Sequence, residues 1–304
     1  MVKVLVPVDV IEAQLISNTV PEDDGPEWDA ETSYATRDRV IKSALHKVYE
    51  SARDGNIGHD PEDANPADWL EVGATNGFRA FDRRLSAPSF KAGTIEFTVE
   101  AQSLIRAVAL VGASAFSARV RVKSPVGDTL VEVEKQLADY SGMIDAITMV
   151  TVTPAYRDVV IFEDIICTPG NRVEITIGDG TGIAGVSEVL LGDVVQIGTA
   201  LFGAEVGIED FSTFEQDHFG NVDITKRAYR DVTEFPIAVN TSDVSRLRRS
   251  LAKLRAKFAL YFFTAEESDY GTTVYGRYEN LSTVISSPSI SDMNLKILGA
   301  TYEP

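Results

Sequence analysis

Residues able to carry out chemistry are sparse and scattered in this 304-residue sequence. Three histidines, His46, His59 and His218, stand far apart, and none has a second histidine four positions away, the spacing that aims two imidazoles from one helix face at a metal. The single cysteine, Cys167, ends an apolar run at 159–167, which predicts a buried thiol and excludes a disulfide framework or a thiolate zinc site. No Gly-x-Ser-x-Gly turn is present to expose a nucleophilic serine. Gly178, Gly180 and Gly182 are closely spaced, but no lysine accompanies them to neutralise a phosphate and no clear helix follows, so a β-turn is the better reading. The acidic stretches Glu22-Asp23-Asp24 and Asp60-Pro61-Glu62-Asp63 offer oxygens to a hard cation, yet neither matches a calcium loop, and solvated loops are expected. A glycosidase needs two carboxylates facing one sugar, and 46 acidic residues single out no pair. The expectation is therefore a non-enzyme, with no catalytic residue, no metal site and no cofactor.

One constellation does stand out. Residues 244–258 carry Arg246, Arg248, Arg249, Lys253, Arg255 and Lys257, six of the 28 basic residues in a chain of net charge −18. The overall sign disfavours nucleic acid as a partner, because the phosphate backbone is repelled. The basic stretch is read either as a solvated face that offsets nearby acids or as a docking surface for an acidic partner subunit, and both readings require exposure. No apolar run approaches the ~18 residues that cross a bilayer. The amino terminus, alternating and apolar but broken by Pro7 and Asp9, lacks a small-residue cleavage site and reads as a strand. Synthesis in the cytosol, without membrane insertion, is the expectation.

The elements that must position these residues follow from periodicity. After the first strand, a Pro, Gly and Asp-rich loop leads to a predicted helix over 36–53, where Val40, Ile41, Ala44, Leu45, Val48 and Tyr49 recur at helical spacing. Asp54-Gly55-Asn56 ends it. From Phe90 to about residue 200, short β-prone runs alternate with turns: 94–99, 105–111, 118–123, 130–133, 146–153, 159–167, 172–177 and 188–197. Eight strands suggest a jelly-roll β-sandwich. Beyond Leu201 a strand at 232–240 is predicted, at a sheet edge because Pro236 cannot donate to a ladder. A helix capped by Ser242 or Asp243 follows, with Val244, Leu247, Leu251, Leu254 and Phe258 on one buried stripe. Further strands are expected at 261–263, 273–275 and 293–298. The predicted organisation is mainly β: an N-terminal strand, loop and helix attachment region (1–89), a jelly-roll-like β-sandwich (90–200) and a small α+β C-terminal domain (201–304).

Two stretches carry a resemblance. Trp69-Leu70-Glu71-Val72-Gly73-Ala74-Thr75-Asn76, continuing to Phe81-Asp82, resembles the segment that leads into the sandwich in a family of bacteriophage virion-associated proteins. Residues 206–212, Asp217-His218-Phe219-Gly220-Asn221, 226–230 and 251–256 are similar to the same family's C-terminal signature. Where that family often has Arg-Trp after Thr-Asn, this chain has Gly77-Phe78. The resemblance implies a structural protein of the tail tip or baseplate, located in the virion. Its middle region would resemble galactose-binding folds, and its partners would be other tail proteins and copies of itself. Trp69, Gly73, Thr75, Asn76, Phe81, Asp82, Phe219, Gly220 and Asn221 are the motif residues, read as structural anchors. An alternative is a receptor-binding module that holds host glycan on sandwich loops, with Tyr140 and Tyr156 as aromatic candidates.

Overall fold

A computed structural model describes residues 1–63, 65–85, 87–139, 155–216, 218–263 and 272–302. The chain is mainly β, built as several sheets with one α-helix among the described residues.

The first departure from the sequence reading is at 36–53, where the predicted helix is absent. Arg39–Lys42 and Lys47–Ser51 form an antiparallel hairpin, and Trp69–Ala74 adds a third strand. The apolar positions at 40–41 and 48–49 fit a helix stripe, but they also fit two short strands around a turn. Valine and isoleucine are stiff at χ1 and favour extended backbone. A single 3-10 turn at Ser43–Leu45, closed by His46 in the left-handed region (φ 53°), reverses the chain. Burying Val40 and Tyr49 against Tyr34 and Trp69 then fixes the register.

The sandwich is a five-stranded antiparallel sheet packed on part of a larger one. Its order is Thr129–Gln136, Ser117–Lys123, Arg172–Ile177, Ile95–Glu100 and Leu15–Asn18. In the three central strands every second side chain is buried, as period-two alternation demands. Phe97, Val120, Val122 and Ile175 from this layer meet Leu110, Phe162, Val189 and Leu191 from strands Ala107–Val111, Val159–Phe162 and Glu188–Ala200. The strand expected at 146–153 lies outside the described residues.

Strand Glu188–Ala200 runs on past the sandwich into a second body. There it pairs with Val2–Pro7, and the ladder continues through Ala259–Phe263, Val274–Val284, Ile290–Tyr302 and Tyr229–Asn240, every pair antiparallel. Tyr229–Asn240 returns to the starting strand at Thr199↔Ala238 and Ala200↔Ile237, so the six strands close a barrel. Closure brings backbones close: a Cβ on Gly198 would lie 2.6 Å from the Ala238 carbonyl oxygen, and glycine leaves the room. The helix Val244–Lys253 sets Leu247 and Leu251, with Leu254 just beyond it, against the barrel interior lined by Phe235, Ile237, Tyr261 and Leu295. The nine-stranded sheet thus takes strands from all three sequence segments, 1–89, 90–200 and 201–304.

Pro236 is a second correction. Its strand is internal, flanked on one side by Ile290–Tyr302 and on the other first by Glu205–Asp210 and then by the end of Glu188–Ala200. Proline sits at the changeover, between Glu234↔Glu205 and Ile237↔Ala200, where no ladder N–H is needed. Its carbonyl still accepts from the Leu201 N–H at 2.9 Å.

Candidate functional surface

The three histidines are not brought together: His46 is held by neighbours, while the His59 and His218 side chains are exposed. The His46 ring stacks on Phe78 (centroids 4.7 Å apart, planes 5° off parallel), with Nδ1 2.8 Å from the Glu22 carboxylate. The His59 carbonyl accepts the Trp69 indole N–H at 2.8 Å. Cys167 is buried, and burial pushes its thiol up to about 11, which makes it inert at neutral pH. The acidic stretches are engaged as well: Asp24 pairs with Arg79, while Asp60 and Glu62 both hold Lys42, whose ammonium lies over Trp28. Among the described residues no group of three His, Cys, Asp or Glu side chains is placed to hold a metal, and no helix is long and apolar enough to cross a membrane. Gly178, Gly180 and Gly182 all take positive φ in a turn whose Asp179 carboxylate accepts from the Thr181 N–H and hydroxyl.

The motif from Trp69 to Asp82 forms a staple between the small hairpin sheet and the sandwich. Asn76 is fully buried; its amide donates to the Phe90 carbonyl at 2.9 Å and to Asp23 at 3.2 Å, and its Oδ1 accepts the Phe90 N–H at 2.8 Å. The Ser89 hydroxyl donates to the Asn76 carbonyl and accepts from the Ala80 N–H. Thr75 is buried beside it, and its N–H donates to the His46 carbonyl. Phe81 packs edge-on to Phe97 at 5.1 Å, and Trp69 edge-on to Tyr34 at 5.2 Å. Trp69 and Phe81 are both buried, so neither ring offers a face to a sugar. Gly73 lies in the third strand of the hairpin sheet, and burial raises the Asp82 carboxyl above its ordinary range although it accepts from the Arg84 N–H. Of the aromatic glycan candidates, Tyr156 is exposed and Tyr140 lies outside the described residues.

A buried polar cluster joins the two bodies. Glu188 is fully buried and accepts the Arg83 backbone N–H at 2.8 Å, with the guanidinium 3.8 Å away. Desolvation holds its carboxyl well above the usual range despite Arg83. Arg83 also donates to the Val8 carbonyl at 2.7 Å. Three chain segments are clamped at one point.

What remains available is surface. All six basic residues, Arg246, Arg248, Arg249, Lys253, Arg255 and Lys257, are exposed. Among the described residues the only acid paired with any of them is Asp243, 3.3 Å from Arg246. The second surface was not singled out from sequence. Strand Glu205–Asp210 is the edge of the nine-stranded sheet, and the chain then leaves the sheet as a two-stranded ribbon, Thr213–Gln216 against Val222–Thr225. No third strand supports that ribbon among the described residues. Phe214 (65% exposed) stands opposite Ile224 (59%), with Val222 on the same face; Ile208 on the edge strand is 70% exposed. The other face places Glu215 directly opposite Asp223. The signal in the sequence is alternation of apolar and acidic residues, Phe214-Glu215 and Val222-Asp223-Ile224, in a region read mainly for its turn. Phe219, Gly220 and Asn221 sit at that turn, with Gly220 at φ 89°.

Comparison with known proteins gave no match: no family model fits the chain, and neither a curated protein nor a solved structure is significantly similar to it.

Proposed function

We propose that this chain is a structural subunit of a tailed-phage virion, placed at the tail tip or baseplate, where it joins neighbouring tail proteins. One observation carries the reading: Val206 and Ile208 exposed on the edge strand, beside a ribbon with Phe214, Val222 and Ile224 exposed that no third strand flanks among the described residues. A two-stranded ribbon is at best marginal alone in water, and large apolar side chains gathered on one projection mark a contact site. Such a surface suits an assembly subunit. In this reading the sandwich, taken as a jelly roll, and the barrel supply a rigid body, and the function is mechanical. The resemblance at 69–82 and 206–230 supplies the phage assignment. Antibody against the full chain should label the tip of purified tailed particles in electron micrographs. Particles without this chain, or label confined to the capsid, would refute it.

A further inference from the structure

We infer that two copies of this chain pair edge to edge through Glu205–Asp210, about a two-fold axis at Ile208. The inference rests on the assembly reading above and names the partner of that same surface. The Phe211 N–H donates to the Ala228 carbonyl at 3.1 Å, in the register that pairs Glu205–Asp210 with 229–234. Backbone groups of alternate residues point to opposite sides of a strand, so Glu205, Gly207 and Glu209 bond to Tyr229–Asn240. The N–H and C=O groups of Val206, Ile208 and Asp210 then face the open side, where no strand lies among the described residues. The opposite edge of the nine-stranded sheet, Val159–Phe162, is guarded: the Lys135 ammonium donates to the Ile161 carbonyl at 2.6 Å. No lysine or proline blocks 205–210.

A two-fold centred on Ile208, which is 70% exposed, sets that residue against itself and Val206 against Asp210 of the second copy. These are the hydrogen-bonded positions, so the joined ladder gains about six N–H···O bonds. Charge selects the same register. Glu209 is held by Arg230 at 2.6 Å, and the Asp210 carboxylate accepts the Ser212 N–H at 2.8 Å. Glu205 is exposed and has no cation beside it among the described residues. The two-fold at Ile208 brings it opposite Phe211 of the second copy, over whose ring Arg230 lies at 5.3 Å, so that arginine can serve both carboxylates. A two-fold at Gly207 would instead set Glu205 directly opposite Glu209, and like charges facing each other are destabilising. Beyond the ladder, the fully exposed Phe202 falls level with Phe214 in the ribbon of the second copy, itself 65% exposed. Both copies lose apolar surface to the contact, and because each uses the same patch, association closes at two.

Sedimentation velocity on the purified full chain should show a monomer–dimer equilibrium that shifts to dimer with concentration and forms nothing larger. Ile208→Lys places two cations on the axis and should weaken the dimer about tenfold or more. Its far-UV circular dichroism should stay that of the parent, because Ile208 is exposed. Cross-linking reads the register separately. Facing residues of a bonded pair have Cα atoms about 5.5 Å apart, within disulfide reach, so Ile208→Cys should join two chains on mild oxidation. Val206→Cys lies about four residue steps, roughly 13 Å, from its own counterpart and should not. Native Cys167 is buried and stays silent. A monomer at every concentration, a dimer that Ile208→Lys leaves intact, or a disulfide from Val206→Cys and none from Ile208→Cys overturns the inference. Virion labelling with a monomeric chain would leave the assembly reading intact and remove only this contact. A dimer without virion labelling would do the reverse.

Discussion

Replacing Asn76 by alanine tests whether the motif at 69–82 is a structural staple. The side chain makes two bonds to one residue, donating to the Phe90 carbonyl at 2.9 Å and accepting its N–H at 2.8 Å, from a fully buried position. Alanine leaves both backbone groups without their partner. Phe90 is 47% exposed, so water reaches its freed backbone groups and the loss is near the net worth of the two hydrogen bonds, about 0.5–1.5 kcal/mol each and about 1–3 kcal/mol for the pair. Losing the bond to Asp23 adds little, since that contact is long at 3.2 Å. Asn76→Asp should be comparably harmful, because a carboxylate cannot donate to the Phe90 carbonyl and faces Asp23 and Asp24. Urea denaturation followed by tryptophan fluorescence reads the loss directly, since Trp69 lies in the hairpin sheet that the staple holds and Trp28 packs against it. Limited proteolysis should show earlier cutting between the hairpin sheet and the sandwich. A loss under about 1 kcal/mol for Asn76→Ala would refute the staple and free the motif for another role.

Three further outcomes are expected. Leu251→Ala removes a 1%-exposed side chain between helix and barrel and should cost about 2–5 kcal/mol in the same assay, with the spread set by how far the barrel collapses onto the cavity. Gly198→Val places a side chain against the Ala238 carbonyl where the barrel closes and should reduce soluble expression or stability; wild-type behaviour would contradict a closed barrel. Glu188→Gln should change how stability depends on pH. The folded carboxyl lies above its unfolded value, so its contribution is full below about 4.5 and falls as pH rises toward the folded value; the glutamine variant should lose that decline, seen as a flatter melting temperature from pH 4.5 upward.

Most of the β architecture was legible from local pattern. Strands such as Ile95–Glu100, Ser117–Lys123 and Arg172–Ile177 alternate buried and exposed residues, and alternation is a property of the chain itself. The stripe Leu247, Leu251 and Leu254 announced the helix for the same reason. At 36–53 the pattern misled, because six apolar residues across one turn satisfy both periods, and only packing against Tyr34 and Trp69 chose the hairpin. Pro236 misled because a rule about single strands cannot see a neighbour change partway along. The basic helix and its exposure could be anticipated, since charge cannot be buried cheaply. The ribbon's alternation is present in the sequence, but that no third strand flanks it among the described residues is a fact of the tertiary structure. Alone, the sequence determined which residues prefer to be buried and at what spacing. Barrel closure, the clamp at Glu188 and the placement of acidic and basic surfaces at opposite ends of one strand were decided by contacts between residues far apart in the chain, which no local period encodes.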